Sequence, residues 1–294
     1  MVGSARGLWY NIAVKPRTDL PFAFDPMRED HAYFLGLLAT DGTINESSRN
    51  RGRVSFELQA RDASVLTALS QSIPYRSRFR YRCRTTNFAQ AYESAILTFC
   101  DLRFRRELSA LGYTSGKKCH TTSPPRCEYD EVGFWRGVVD GDGSVGITGL
   151  NRPFISLVTA SQQLRDAYID FVARVAGTRP NPKRNARDRV FNIMVLDEPA
   201  RELAGVLYRE DVLAIPRKVG AARLVRSWQR PNNRNRVNFE RRRWTPEEDR
   251  RVLEPLPQLS IATELGRTVR SINIRRWRLR GCGSAKNVET ILPS

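Results

Sequence analysis

Two aspartates pose the chemical question in this 294-residue chain. Asp41 lies near the end of YFLGLLATDGT (residues 33–43) and Asp142 near the end of FWRGVVDGDGS (residues 134–144). Both segments have an apolar run, a Gly five residues before an Asp, then Gly and a small hydroxyl residue. Each follows residues suited to opening a helix, Arg28-Glu29-Asp30 in one and Asp130-Glu131 in the other. The reading is an apolar helix that stops at its acid, with Gly42 or Gly143 as the C-terminal break. Gly36 and Gly137 cost about 1 kcal/mol each in helix propensity, so they need a packing reason. Small residues on a helix face let two backbones approach closely. If the two motif helices pack together, their C-terminal ends converge and Asp41 meets Asp142. Two carboxylates so placed repel each other and the helix dipoles. A divalent cation resolves the repulsion, and hard carboxylate oxygens suit Mg²⁺.

The elements that must position these acids come in two copies. After the first motif the patterning predicts a strand at Val54 to Gln59 and a helix at Ala63 to Ile73. Strands at Arg76 to Arg84 and Tyr92 to Phe99 follow, then a helix at Leu102 to Leu111. After the second motif the same reading gives Phe154 to Ala160, Gln163 to Val175, Arg179 to Arg187, Val190 to Leu196 and Ala200 to Tyr208. Helix-strand-strand-helix-strand-strand-helix, twice, is an α+β arrangement with antiparallel sheets, not a βαβ parallel sheet.

Phe34-Leu-Gly-Leu-Leu-Ala-Thr-Asp-Gly42 and Trp135-Arg-Gly-Val-Val-Asp-Gly-Asp-Gly143 resemble the two signature motifs of single-chain LAGLIDADG homing endonucleases. The resemblance covers roughly residues 28–225. It implies a pseudo-two-fold saddle of two αββαββα halves whose antiparallel sheets lie in the DNA major groove. It also implies sequence-specific, Mg²⁺-dependent double-strand cleavage by a monomer, with Asp41 and Asp142 as metal-binding acids. Asp140 matches the motif's other acidic position, from which Ala39 departs in the first copy. Leu35 and Arg136 replace the motif's small second residue. The family places a basic residue near each acid. Lys117 (or its neighbour Lys118) and Lys218 are the candidates, Lys117 and Lys218 each lying 76 residues beyond its Asp. A non-catalytic DNA-binding regulator on the same scaffold, or an RNA splicing maturase, are the alternative readings.

Charge points the same way. The chain holds 49 Lys and Arg against 31 Asp and Glu, a formal net charge of +18. GC-rich codon usage could explain Arg outnumbering Lys, but not the surplus or its placement. A field of this size calls for a polyanion, and phosphate backbone is the usual one. Arg76, Arg78, Arg80, Arg82 and Arg84 alternate with Ser77, Phe79, Tyr81 and Cys83, which places five guanidinium groups on one side of a strand. Such a row needs an anion, and Arg reads guanine edges bidentately. Lys183, Arg184, Arg187 and Arg189 form a rougher counterpart in the second half.

The two halves are read as residues 1–125, including an N-terminal extension, and 126–228. A basic linker (229–243), a helical module (244–281) and a tail (282–294) follow. In the module Thr245, Pro246 and Glu248 make a capping box. Helices are expected at Ser260 to Leu265 and from about Thr268 to Arg280, with Trp244 and Trp277 as core anchors. The module resembles a Myb/SANT-like helix-turn-helix. This implies a recognition helix presenting Arg270, Asn273, Arg275, Arg278 and Arg280 to DNA. No apolar run approaches the ~18 residues of a membrane span. Five scattered Cys suit a reducing, cytoplasmic setting, and Cys119, His120 and Cys127 are too irregularly spaced for zinc.

Overall fold

The computed structural model describes residues 23–86, 89–116, 120–230 and 243–280. Lys117, Lys118 and Cys119 lie outside the described residues, as do most of the basic linker and the tail. The chain divides into a unit ending at Arg230 and a second unit beginning at Pro231. No helix among the described residues is long and apolar enough to cross a membrane.

In the first unit α1 (Glu29–Thr40) runs directly into β1 (Gly42–Glu46). Then come β2 (Gly52–Gln59), α2 (Ala63–Ser72), β3 (Ser77–Thr86), β4 (Ala89–Phe99) and α3 (Leu102–Ala110). The pattern restarts with α4 (Glu131–Asp142), β5 (Gly143–Ile147), β6 (Pro153–Thr159), α5 (Gln162–Ala176), β7 (Phe191–Leu196), α6 (Asp197–Leu207) and α7 (Pro216–Ser227). The strands form two antiparallel sheets, ordered β1-β2-β4-β3 and β5-β6-β7, so the fold is mixed α+β. Alternation decides the faces: Val54, Phe56 and Leu58 of β2 are buried while Arg53 and Gln59 are exposed. The same period places Phe191, Ile193 and Val195 of β7 inward and Asn192 and Met194 outward.

Three sequence expectations change. The strand expected at Arg179 to Arg187 is a loop, in which an isolated bridge joins Arg184 to Phe191. Pro180 and Pro182 remove ladder donors there, so the second sheet has three strands where the first has four. Helix α7, from Pro216, was not foreseen. Finally, Gly42 and Gly143 do not end their helices through a positive φ: the residue before Gly42 is right-handed and Gly143 is extended at φ −102°. They are needed for space, since a Cβ on Gly42 would stand 2.6 Å from Leu38 Cδ1 and one on Gly143 2.6 Å from Val139 O.

Helix α1 is buried on every side from His31 to Ala39, because α4 covers the face that its own sheet does not. The two helices touch backbone to backbone. A Cβ on Gly36 would lie 2.0 Å from Phe134 O and 2.8 Å from Val138 N; one on Gly137 would lie 2.3 Å from Tyr33 O and 2.8 Å from Leu37 N. Subtracting 101 from the second helix's numbers turns one set of contacts into the other, so this contact is reciprocal. Gly133 against Glu29 at one end and Gly141 against Thr40 at the other show that the helices run parallel.

In the second unit α8 (Pro246–Leu253), α9 (Gln258–Glu264) and α10 (Val269–Leu279) close on Val252, Ile261, Ala262 and Ile272. Thr245 and Glu248 form the reciprocal cap at the start of α8. Trp244 packs against this core, with Arg267 over its ring at 3.9 Å. Trp277 does not: it is 60% exposed.

The glycine contact yields a paired prediction. Gly36→Ala should destabilise the chain by about 1–3 kcal/mol or more, because the added methyl meets backbone that has nowhere to go. Gly205→Ala, in α6 with open space around it, should be neutral or stabilise by up to ~1 kcal/mol. Thermal melts of the two variants check this; equal melting temperatures would contradict the close approach.

Candidate active site

Parallel packing brings both motif acids to the same end of the helix pair. Asp41 is the C-cap of α1 and Asp142 the last residue of α4, and both are exposed. Each has many protein atoms around it, and burial raises the pKa of both. For Asp142 the charge of Asp41 adds to this, and Lys218 opposes it, leaving the carboxyl pushed up to about 6. For Asp41, Lys218 and Arg217 offset the burial. Asp41 thus acts on Asp142, which with Ala39, Thr40, Val158 and Thr159 lines a cleft of about 320 Å³.

Lys218 enters from the first turn of α7. Its position is fixed by Pro216 at the start of that helix and by a backbone bond from the Lys218 amide to Ile215 O at 2.9 Å. Its ammonium donates to Val139 O at 2.7 Å, Asp140 O at 2.5 Å and Gly143 O at 2.9 Å. These carbonyls belong to the C-terminal end of α4 and the residue after it, where the helix dipole favours a cation, and Val139 O also accepts the Gly143 amide. All three ammonium protons are used, and the residue is 4% exposed. Lys218 thus sits beside the acids, as the sequence suggested, but faces the helix end and not open cleft.

Behind it lies Asp140, 1% exposed. Its carboxylate accepts from Tyr33 Oη at 2.8 Å, Tyr208 Oη at 2.7 Å and the Ile215 amide at 2.7 Å. Burial pushes Asp140 up and Lys218 down, and the three donors on one and three acceptors on the other oppose those shifts. Tyr33 belongs to α1, so this network also ties the two motif helices together. At the far end of the pair the buried Arg136 ion-pairs with Glu29 at 2.8 Å and donates to Leu213 O and Leu207 O. The large second residue of the motif therefore clamps the helix N-termini.

Arg217 was missed in the sequence. Its side chain is 47% exposed, donates to Asp62 at 3.1 Å, and opposes part of the upward push that burial gives Asp41. Pro-Arg-Lys offered two adjacent cations, and only the helical geometry of α7 separates the buried one from the exposed one.

The remaining basic candidates divide similarly. Arg78, Arg80, Arg82 and Arg84 line one side of β3, while Arg76 precedes it. Tyr81 and Cys83, on the other face of the strand, are exposed as well. In the 179–190 loop Arg184 donates to Ala160 O and lies over the Phe191 ring, and Arg187 pairs with Asp188. Lys183 and Arg189 share that loop. On α10, Arg270, Asn273 and Arg278 are exposed, whereas Arg275 is held by Asp249 in two bonds of 2.7 and 2.5 Å.

The donor set fits a hard divalent cation. Two adjacent carboxylates open to solvent suit Mg²⁺, which keeps several waters and binds through one or two carboxylates plus substrate phosphates. No cluster of three His, Cys, Asp or Glu occurs among the described residues, so the other donors would be water, backbone or nucleic-acid oxygens.

No family model matches the chain, and no curated protein does. Among solved structures it is similar to the homing endonuclease I-WcaI bound to its DNA recognition sequence, at 12% identity and a TM-score of 0.49, over 68% of this chain and 88% of that one. It is similar to full-length DUF199/WhiA from Thermatoga maritima at 13% identity and a TM-score of 0.43, over 89% and 92% of the two chains. A third is the I-LtrWI LAGLIDADG homing endonuclease bound to target DNA, at 8% identity and a TM-score of 0.37, over 63% and 85%. Superpositions this loose leave function to be read from the chain's own side chains.

Replacing Lys218 with Met should remove three hydrogen bonds at the end of α4 and the positive charge beside the buried Asp140. The expected cost is roughly 3–5 kcal/mol, read from the midpoint of urea unfolding. Lys218→Met with an unchanged midpoint would show that the ammonium is not a structural group.

Proposed function

We propose that this chain is a Mg²⁺-dependent DNA endonuclease of the LAGLIDADG homing type, acting as a monomer in which each half serves one strand. The observation that carries the reading is the convergence of Asp41 and Asp142 at the same end of two glycine-packed helices, where Asp41 raises the pKa of Asp142 and Asp142 lines a cleft. Nothing about stability favours two such acids. A divalent cation held by these carboxylates would offset their repulsion.

Asp41 and Asp142 would hold Mg²⁺, which when bound polarises the scissile phosphate and lowers the pKa of an attacking water. The rest falls to the chain. Lys218 keeps the end of α4 rigid and supplies positive potential from behind. Arg217, exposed beside Asp41, is placed to meet phosphate charge that develops during cleavage. Lys117 or Lys118 is the proposed basic residue of the first half. The sheets supply the groove-binding faces, whose outward positions begin with Thr43 and Ser144, two residues beyond each acid. Arg78, Arg80, Arg82 and Arg84 are the proposed contacts on the first sheet, and Lys183, Arg184, Arg187 and Arg189 those from the loop beside the second. The 243–280 unit acts as a helix-turn-helix, with Arg270, Asn273 and Arg278 on the exposed side of α10.

A non-catalytic DNA-binding regulator is the second reading. It is favoured by the burial of Lys218, which leaves that ammonium no free proton for a phosphate.

Asp41→Asn and Asp142→Asn should each abolish double-strand cleavage in Mg²⁺ while leaving DNA binding intact. Supercoiled-plasmid cleavage and gel-shift assays run side by side separate the two readings. A wild-type chain that binds duplex tightly and never cuts establishes the regulator instead. Ending the chain at Arg230 should weaken binding and flatten its salt dependence, by about 0.9 in log–log slope for each lost phosphate contact. Anisotropy titrations across a salt series measure it, and identical slopes would remove the second unit from the interface.

A further inference from the structure

The outward faces of the two sheets carry different chemistry. On the first sheet the register sets Arg78 opposite Thr98, Arg80 opposite Ile96, Arg82 opposite Ser94 and Arg84 opposite Tyr92. Arg53 of β2 is exposed on the same side, in register with Asn45. The acid at the outward positions of this sheet is Glu57, to which Arg82 and Arg84 are held loosely at 3.7 and 3.5 Å. Ile96 is 6% exposed yet lies outside the hydrophobic core; its cross-strand neighbours are Arg80 and Glu57, whose stems cover it. Arg78 and Arg80 have no acidic partner among the described residues.

On the second sheet no outward position of β5, β6 or β7 is charged. Val158 and Met194 stand out at 39% and 44% exposure, Asn192 is exposed opposite Val158, and Ser156 is opposite Met194. The basic candidates for DNA contact in this half, Lys183, Arg184, Arg187 and Arg189, sit in the 179–190 loop and not on these strands. The cause is the missing fourth strand: Pro180 and Pro182 prevent a counterpart of β3 from forming.

Base edges discriminate between such faces. Guanidinium groups bond bidentately to guanine O6 and N7, Asn bonds to adenine N6 and N7, and apolar side chains touch the thymine methyl. Resting on the DNA-endonuclease reading above, we infer that the target site is compositionally polar. The half under the first sheet is guanine-rich, and the half under the second sheet is A·T-rich. Salt-dependent affinity of the sheet faces resides in the first half, because the neutral face draws no phosphate.

The test is selection of bound duplexes from a randomised library by the full-length chain in EDTA, where no cutting occurs. The expected product is a site with guanines concentrated in one half and A·T pairs in the other. The Arg78→Ala, Arg80→Ala double variant should lose the guanine preference, binding the selected site at least tenfold more weakly per lost guanine contact and with a shallower salt slope. Asn192→Ala with Met194→Ala should relax only the A·T half and leave the salt slope unchanged. All four residues are exposed, so folding survives, and circular dichroism verifies it. Two halves of equal composition, or an Arg variant that alters the A·T half, overturn the inference while cleavage by the same preparation upholds the endonuclease reading. A polar site bound by a chain that never cuts upholds the inference and removes the endonuclease.

Discussion

Packed α-helices ordinarily keep their axes about 8–10 Å apart, because side chains stand between them. Gly36 and Gly137 remove the side chains at the crossing of α1 and α4, so each backbone rests on the other's carbonyl. The arrangement of the first unit depends on that contact. It fixes the helices in parallel, buries α1 on all sides, and determines where Asp41 and Asp142 emerge. A wider crossing would let the two carboxylates separate into solvent, and the burial and mutual repulsion that lift Asp142 to about 6 would fade.

Holding like charges together needs a counterweight, and the second half supplies it through α7. Lys218 neutralises the helix end beneath Asp142, and Asp140 in turn neutralises Lys218. Each member has its hydrogen bonds satisfied, which makes so much buried charge tolerable. Arg217, one residue earlier, reaches across to Asp62 of the first half and lends its charge to Asp41. One short helix thus serves both acids, with one cation turned inward and the other outward.

Much of this was legible in the residue pattern because the signals were local or periodic. The mid-helix glycines announced a close crossing, alternation in β3 announced an arginine row, and Thr245-Pro246 with Glu248 announced a capped helix. What stayed hidden depended on tertiary context. Lysine type and spacing placed Lys218 near the acids, but whether its ammonium met solvent or carbonyls was set by the tilt of α7. Helical spacing put both Trp244 and Trp277 among the core candidates, yet three short helices enclose only a small core, and Trp277 is left outside. The run from Arg179 to Arg187 looked basic enough to mirror β3, but proline's missing amide outweighed composition.

The bond from Tyr33 to Asp140 has a consequence for the re-engineering of such a chain. At the positions 101 residues away the hydroxyl and the carboxylate are both missing: Phe134 stands for Tyr33, and Ala39 for Asp140. The halves are thus keyed, each lacking what the other provides. A symmetric dimer of two first halves would leave two tyrosines without an acceptor. One of two second halves would face each buried carboxylate with a phenyl ring. Either homodimer is penalised, so duplicating one half could not replace the other.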